Sequence, residues 1–273
     1  LFLHRAGIEV EVFERAEAIR ELGVGINMLP HAVQELADLG LLPSLDENGI
    51  RTRELIYANR FGQVVWRELR GLDAGHGCPQ ISIHPGRPLG LIHAAAIEQL
   101  GSNAIKTGSR MIGFSQSDGQ VCVELLDREG VRFTARGDLL MGADGIHSTV
   151  RGQLYPDEGM PIWSGIMLWR GCTDWPAWRD GRTMAIAGGN VAKFVFYPIG
   201  FDIDRSNMRL TNWAVMAQTG RSGASPPRRE DWSRPGVLAD VLHFVRDRFP
   251  LDFVDPAEVI RSTPVFYEYP NCD

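Results

Sequence analysis

Cysteine is scarce: Cys78, Cys122, Cys172 and Cys272 stand far apart with no CxxC pair among them. That spacing excludes a zinc-ribbon ligand set and a disulfide framework and leaves reduced thiols, as in a cytoplasmic protein. No run of 18 apolar residues occurs, so no membrane span is expected. The opening Leu1-Phe2-Leu3-His4-Arg5-Ala6-Gly7 is too short for a signal peptide and reads as the back half of a helix with Gly7 as its C-cap. An excess of positive charge is missing too. The 28 Lys and Arg against 34 Asp and Glu leave a net charge of −6, which excludes the basic face that nucleic acid or an anionic membrane requires. The Arg-rich piece from Arg221 to Arg234 is broken by Pro, Gly and acids and reads as a solvated loop. His93 has no metal-ligand spacing to another His, and no metal site is expected. Tandem repeats and low-complexity tracts are lacking. An initiator Met is lacking as well, and the chain stops abruptly at Asp273, so a piece of a longer protein is expected.

What is there is a globular composition, 44% hydrophobic and 23% charged, enough for one large core or two smaller ones. The apolar run Leu139-Leu140-Met141 passes into Gly142-Ala143-Asp144-Gly145 and then to Ser148, Thr149 and Arg151. This is the pattern of a buried parallel strand, a polar turn and a helix capped by Ser148 or Thr149. Open α/β sheets bind ligands outside the carboxyl ends of their strands, where such a turn falls. Ile8 to Glu14 alternates apolar and polar residues and ends on a carboxylate, the position at which a dinucleotide fold keeps its ribose-binding acid. A solvated strand-end carboxylate is the plainer alternative for Glu14. In Gly23-Val24-Gly25-Ile26-Asn27 two glycines flank a valine, which lets the backbone approach something flat or anionic.

The remaining pattern predicts a helix from His31 to Leu39 closed by Gly40, a hairpin of Arg53 to Ala58 and Gln63 to Leu69, a strand from Gln80 to His84 and a helix from Leu89 to Leu100. Strands at Arg110 to Ser115, Val121 to Asp127 and Val131 to Arg136 form a β-meander, with turns at Asp118-Gly119 and Glu129-Gly130. After Pro161 come long strands rich in Trp, Phe and Met: Gly165 to Trp175, Thr183 to Ile199 broken at Gly188-Gly189, and Leu210 to Gln218. They predict an antiparallel sheet, followed by an amphipathic helix from Val237 to Phe249. Trp169, Phe196 and Trp213 have two readings, the lining of an apolar pocket for a flat substrate or plain sheet core.

Taken in order, the strand ending in Glu14, the Val24-Gly25 loop, Ser82-Ile83-His84 before a helix, Gly142-Ala143-Asp144-Gly145 with Ser148 and Arg151, Trp169-Arg170-Gly171 and Tyr197-Pro198-Ile199 resemble one family. It is the FAD-dependent aromatic hydroxylases of the para-hydroxybenzoate hydroxylase superfamily, and the likeness is greatest to their phenazine monooxygenase branch. The resemblance implies a mixed α/β fold: a Rossmann-like FAD-binding domain with a β-meander over residues 1–48 and 80–160, and an antiparallel-sheet substrate domain over 49–79 and 161–260. Residues 261–273 would return toward a further FAD-binding part, and the first strand with its glycine-rich loop would precede Leu1. The resemblance also implies that Glu14, with Arg15, holds the adenosine ribose of FAD and that Val24 and Gly25 lie near the flavin. Met111 would meet adenine through its backbone, and Asp144 and Gly145 would lie by the pyrophosphate.

The implied reaction is hydride reduction of FAD by NADH or NADPH, O2 addition at flavin C4a and oxygen transfer to a small aromatic substrate, in a monomer or homodimer. The cofactor carries the chemistry, so no catalytic triad is required. Two departures stand out. The glycine-rich loop and a later Gly-Asp motif are absent from these 273 residues, which are expected to be a poor enzyme by themselves. Pro85 and Pro88 occupy the positions of the family's Arg and Leu; either Arg87, out of register, substitutes as the FAD contact through a loop His84-Pro85-Gly86-Arg87-Pro88 that bends back, or nothing replaces it. A flavin reductase or dehydrogenase without oxygen insertion, and a non-catalytic protein that binds an aromatic ligand, share these features.

Overall fold

A computed structural model describes residues 1–19, 24–201 and 207–273, so Gly23 of the expected glycine loop lies outside the described residues. The chain forms two compact units, Leu1–Arg20 with Ile92–Pro161 and Asp273, and Glu21–Leu91 with Ile162–Cys272. These packing units cut across the expected cofactor and substrate segments, because residues 24–48 and 80–91 pack with the second unit.

In the first unit the helix Phe2–Arg5 ends at Gly7, whose φ of +75° is the left-handed conformation expected of a C-terminal glycine. The strand after it is shorter than its alternation suggests. Only Val12–Glu14 pairs, in parallel with Ile105–Thr107 and with Glu14 opposite Thr107. The meander forms as expected from Arg110–Ser117, Gln120–Leu126 and Arg132–Gly137. Asp118 and Gly119 turn the first corner at φ of +52° and +77°, both positive as a two-residue hairpin turn with the right twist demands. Val121, Val123 and Leu125 bury one face of the meander, and Phe13, Met111, Phe114 and Phe133 pack on them.

The apolar run at residues 139–141 departs from expectation, since it forms no strand. Leu139 and Met141 are exposed and the run has no ladder partner among the described residues, without which an apolar run cannot become a buried strand. The helix that follows, Thr149–Leu154, is capped as expected, by the Ser148 hydroxyl accepting from Arg151 N at 2.9 Å.

The second unit is built on a seven-stranded sheet. Its order is Phe266–Cys272, Trp163–Pro176, Met208–Gln218, Ala192–Phe201, Thr183–Gly188, Glu54–Ala58 and Val64–Leu69. The sheet is mixed rather than wholly antiparallel, because Glu54–Ala58 lies parallel to Thr183–Gly188. The hairpin reaches that edge from a distant part of the chain, so no tight turn fixes its direction.

Side chains alternate across this sheet, and each face has its own cover. Trp169, Phe194, Phe196, Trp213 and Val215 form the main core with the helices Leu238–Val245 and Pro256–Arg261. The first of these helices stops at Val245, short of the expected Phe249, as Arg246 turns to an extended backbone. The second was not anticipated, although Asp255, which accepts from Ala257 N at 2.8 Å, and Pro256 at its first position mark a helix start. Leu55, Met184, Tyr197 and Ile199 face the other way. A separate three-stranded antiparallel sheet of Ile26–Met28, Gln80–Ile83 and Ile50–Thr52 is backed by the helices Pro30–Asp38 and Leu42–Asn48 through Met28, Val33, Leu45, Ile81 and Ile83.

Candidate functional site

In the first unit Glu14 stands at the tip of its strand as expected. One of its carboxylate oxygens accepts from Ala16 N at 2.7 Å, and its backbone carbonyl accepts from Ser109 N at 2.9 Å. Arg15 is exposed beside it, and Met111 packs on the meander core. Asp144 is held by its own loop: its carboxylate accepts from Thr149 N at 2.6 Å, from Val150 N at 3.2 Å and from the Ser148 hydroxyl. Burial works against the charge, but the Ser148 hydroxyl and these backbone N–H groups outweigh it and hold the carboxyl below the usual range. Gly145 takes a φ of +79° to make the turn. Arg151 Nη2 donates to the Ile146 carbonyl at 2.6 Å and closes the loop from the other side.

In the second unit the site gathers around Gly25. Its carbonyl accepts two hydrogen bonds, from Arg170 Nη2 at 2.7 Å and from the Tyr197 hydroxyl at 2.8 Å. Arg170 Nη1 donates to the Tyr269 hydroxyl at 2.9 Å. Asn27 continues the network, its side-chain oxygen accepting from Ser82 Oγ at 2.5 Å and Gln80 Nε2 at 3.3 Å, and Ser82 is bonded in turn to Thr52. Buried hydroxyls and amides linked in this way rigidify what they hold. Burial pushes the Tyr197 phenol up to about 12, against the pull of the Arg170 charge and of the hydrogen bonds from Arg170 and Asn27. The phenol is therefore a neutral donor to the loop.

Gly25 is required by space as well as by hydrogen bonding. A Cβ there would stand 2.6 Å from Asn212 Cβ and 2.6 Å from Ile199 Cγ2, far inside ordinary carbon contact of about 3.5–4.0 Å. Asn212, 1% exposed beneath the loop, leaves both Nδ2 and Oδ1 without a partner among the described residues. Unmade hydrogen bonds of this kind cost about 1–3 kcal/mol per group, so they stand out in a settled interior.

The three aromatic residues expected to line a pocket do not. Trp169, Phe196 and Trp213 lie on the helix-covered face of the sheet, inside the core. Their polar ends are satisfied: Trp169 Nε1 donates to Glu268 at 3.1 Å and Trp213 Nε1 to Thr263 Oγ1 at 2.8 Å. Alternation decides this, because on Trp163–Pro176 the odd-numbered side chains turn to the helices and Arg170 turns to Gly25. Arg170, Tyr197, Asn27 and Asn212 were therefore missed as site residues. For Arg170, Tyr197 and Asn212 the signal is their place beside Trp169, Phe196 and Trp213, on the opposite face of the same strand; Asn27 carries no such signal. Arg87 is also placed differently from expectation. The segment expected as a bent loop is the first turn of the helix Gly86–Leu100, with Arg87 N donating to the His84 carbonyl at 3.0 Å and the Arg87 side chain exposed. Pro85 and Pro88 suit this start, since the first turn of a helix leaves its N–H groups unpaired in any case.

A loop drawn tightly onto a sheet, at a glycine that admits no side chain and with its carbonyl held by two donors, presents a fixed backbone edge of the kind a bound cofactor needs. Residues 1–169 match the model of a family described as FAD binding domain. Over its whole length the chain is 35% identical to the phenazine 1,6-dicarboxylic acid hydroxylase PhzS of Lysobacter antibioticus, of which it spans 67%. The chain belongs to the FAD-dependent aromatic hydroxylases. It is also 32% identical over 61% of its length to the salicylate hydroxylase of Pseudomonas putida, of which it spans 38%. A solved structure of HpxO from Klebsiella pneumoniae, complexed with FAD and uric acid, shares the fold with a TM-score of 0.72 over 99% of this chain and 64% of that one, at 18% identity. No described helix is long and apolar enough to cross a membrane.

Proposed function

We propose that the protein is an NAD(P)H- and O2-dependent FAD monooxygenase that hydroxylates a small aromatic or heteroaromatic ring. Membership of the hydroxylase family supports the cofactor, and the observation that carries the reading is the double hydrogen bond on the Gly25 carbonyl. When bound, FAD supplies acceptance of hydride from the nicotinamide and activation of O2 for insertion.

The chain's own residues bind and orient. Glu14 and Arg15 serve the adenosine ribose, Met111 the adenine, and Asp144 and Gly145 the pyrophosphate. Val24 and Gly25 serve the flavin. Arg170 and Tyr197 act as positioning residues: they clamp the Gly25 carbonyl, so the peptide plane beside the cofactor is set before it arrives, which lowers the cost of ordering the loop on binding. Arg87 stays in this scheme as a contact made from the first turn of its helix. In functional terms residues 1–48 and 80–160 form the cofactor domain, and 49–79 with 161–260 the substrate domain.

Full-length protein should purify yellow with about one FAD per chain and oxidise NADH or NADPH faster when an aromatic acid is added. Arg170→Met should weaken FAD retention by roughly tenfold or more, the value of a hydrogen bond from a charged donor. Colourless protein whose apoform takes up no FAD would exclude the reading.

A further inference from the structure

The Arg-rich piece expected as a solvated loop is tied down at its end. From Arg228 to Val237 the chain straps the outer edge of the seven-stranded sheet, where Phe266–Cys272 is the last strand. Gly236 N donates to the Phe266 carbonyl at 2.8 Å, Glu268 N donates to the Arg234 carbonyl at 3.0 Å, and Pro235 lies antiparallel to Tyr267. One buried carboxylate fixes the strap on both sides of its tip: Glu268 pairs with Arg228 and with Arg234 at 3.4 Å, and accepts from Val237 N at 3.4 Å. Between these anchors Asp231 Oδ1 accepts from Ser233 N at 2.9 Å and from Ser233 Oγ at 2.6 Å, a tight turn that carries Trp232.

Glu268 lies opposite Trp169 and so on the helix side of the sheet, which puts Tyr269 on the other side. There Trp232 stacks on the Tyr269 ring, with centroids 4.8 Å apart and planes 12° apart. The tyrosine is buried and the tryptophan exposed, so the indole is the lid on that ring. The Tyr269 hydroxyl accepts from Arg170 Nη1, and Arg170 Nη2 holds the Gly25 carbonyl. Both of these acceptors are uncharged, and no carboxylate pairs with Arg170 among the described residues. The planar guanidinium is therefore aimed by the direction of two hydrogen bonds rather than by a counter-charge. Whatever fixes the Tyr269 ring fixes one of them.

We infer that Trp232 is a positioning residue for the cofactor loop: stacked on Tyr269, it holds the hydroxyl that orients Arg170 and, through Arg170, the Gly25 carbonyl. This rests on the reading of Gly25 as a flavin contact and adds to it a strap residue two side chains away from the loop.

The test compares FAD dissociation constants, read by flavin fluorescence, for full-length wild type, Trp232→Ala, Tyr269→Phe and the double variant. Trp232→Ala removes the lid. Tyr269→Phe keeps a ring for Trp232 to cover but removes the link to Arg170. Trp232→Ala should weaken FAD binding by about three- to tenfold, the value of an aromatic pair, and Tyr269→Phe by at least as much. Trp232→Phe should stay within about twofold of wild type. Added to Tyr269→Phe, Trp232→Ala should cost less than a further twofold, because the two act along one line. In cofactor-free protein, hydrogen exchange over residues 24–29 should follow the same order, faster in each single variant and no faster in the double. A strap that only steadies the sheet edge would give losses that add, since the stack survives in Tyr269→Phe. Additive losses, FAD affinity unmoved by Trp232→Ala, or a Trp232→Phe loss equal to that of Trp232→Ala would overturn the inference and leave the hydroxylase reading standing. If the protein takes up no FAD, that reading fails and exchange over residues 24–29 decides the coupling by the same comparison.

Discussion

Gly25→Ala is the sharpest perturbation of the loop. The added methyl would stand 2.6 Å from Asn212 Cβ, 2.6 Å from Ile199 Cγ2 and 2.9 Å from Asn212 Cγ. None of these is the far end of a flexible side chain, and all belong to strands in the middle of the seven-stranded sheet. The loop must therefore lift by about 1 Å to restore carbon contact distances. That shift takes the 2.7 Å and 2.8 Å bonds on the Gly25 carbonyl beyond the range in which a hydrogen bond counts. Overpacking costs about 1–3 kcal/mol, and a hydrogen bond from a charged donor is worth about 1.5–3 kcal/mol, so a loss of about 2–4 kcal/mol is expected once the loop has relaxed. Urea unfolding followed by tryptophan fluorescence reads the second unit, because Trp169 and Trp213 lie in its core. Flavin fluorescence gives the FAD dissociation constant on the same samples. A stability change under about 0.5 kcal/mol with FAD affinity within twofold would show that the loop is not held as described.

Asn212→Leu replaces a buried amide that has no partner among the described residues by an apolar side chain of similar shape. It should stabilise the cofactor-free protein by about 1–2 kcal/mol in urea and raise the FAD dissociation constant; lower stability in the variant would mean that the amide is satisfied. The Tyr197 phenol, pushed up by burial to about 12 from the ordinary 10.0, favours the neutral form in the fold. Its contribution to stability is therefore complete below about pH 10 and lost as pH rises through about 12, and an ultraviolet difference titration should show one tyrosine ionising late, a step absent in Tyr197→Phe. Glu268 is 1% exposed and accepts from Arg228 and Trp169, with Arg234 at 3.4 Å. Glu268→Ala leaves those donors uncompensated and should cost about 3–5 kcal/mol, with Glu268→Gln recovering part; a loss below about 1 kcal/mol would rule out this buried hub.

Elements whose partners are local were legible in the sequence. The meander, the hairpin at 54–69, the Ser148 cap and the glycine-closed helix ends each carry their cause within a few residues. What failed was long-range. Leu139–Met141 has the composition of a buried strand, but burial depends on neighbours that no local pattern supplies. The parallel docking of Glu54–Ala58 on Thr183–Gly188 has no turn to announce it. Trp169 and Arg170 show the limit most clearly. Their adjacency in Trp169-Arg170-Gly171 marks the strand, yet which of the two faces Gly25 depends on a period-two phase that only the helices behind the sheet decide. That the Asn212 amide is buried without a partner among the described residues had no signal in the sequence, because pairing is a property of packing.

The measurement that bears most directly on the central claim is the fate of oxygen. Full-length protein loaded with FAD, supplied with NADH or NADPH and an aromatic acid under 18O2, should yield a hydroxylated ring carrying one atom of the label, with one nicotinamide oxidised per product. Nicotinamide oxidation that releases only hydrogen peroxide, or a product whose new oxygen comes from water, would contradict the assignment of this chain's site to aromatic hydroxylation.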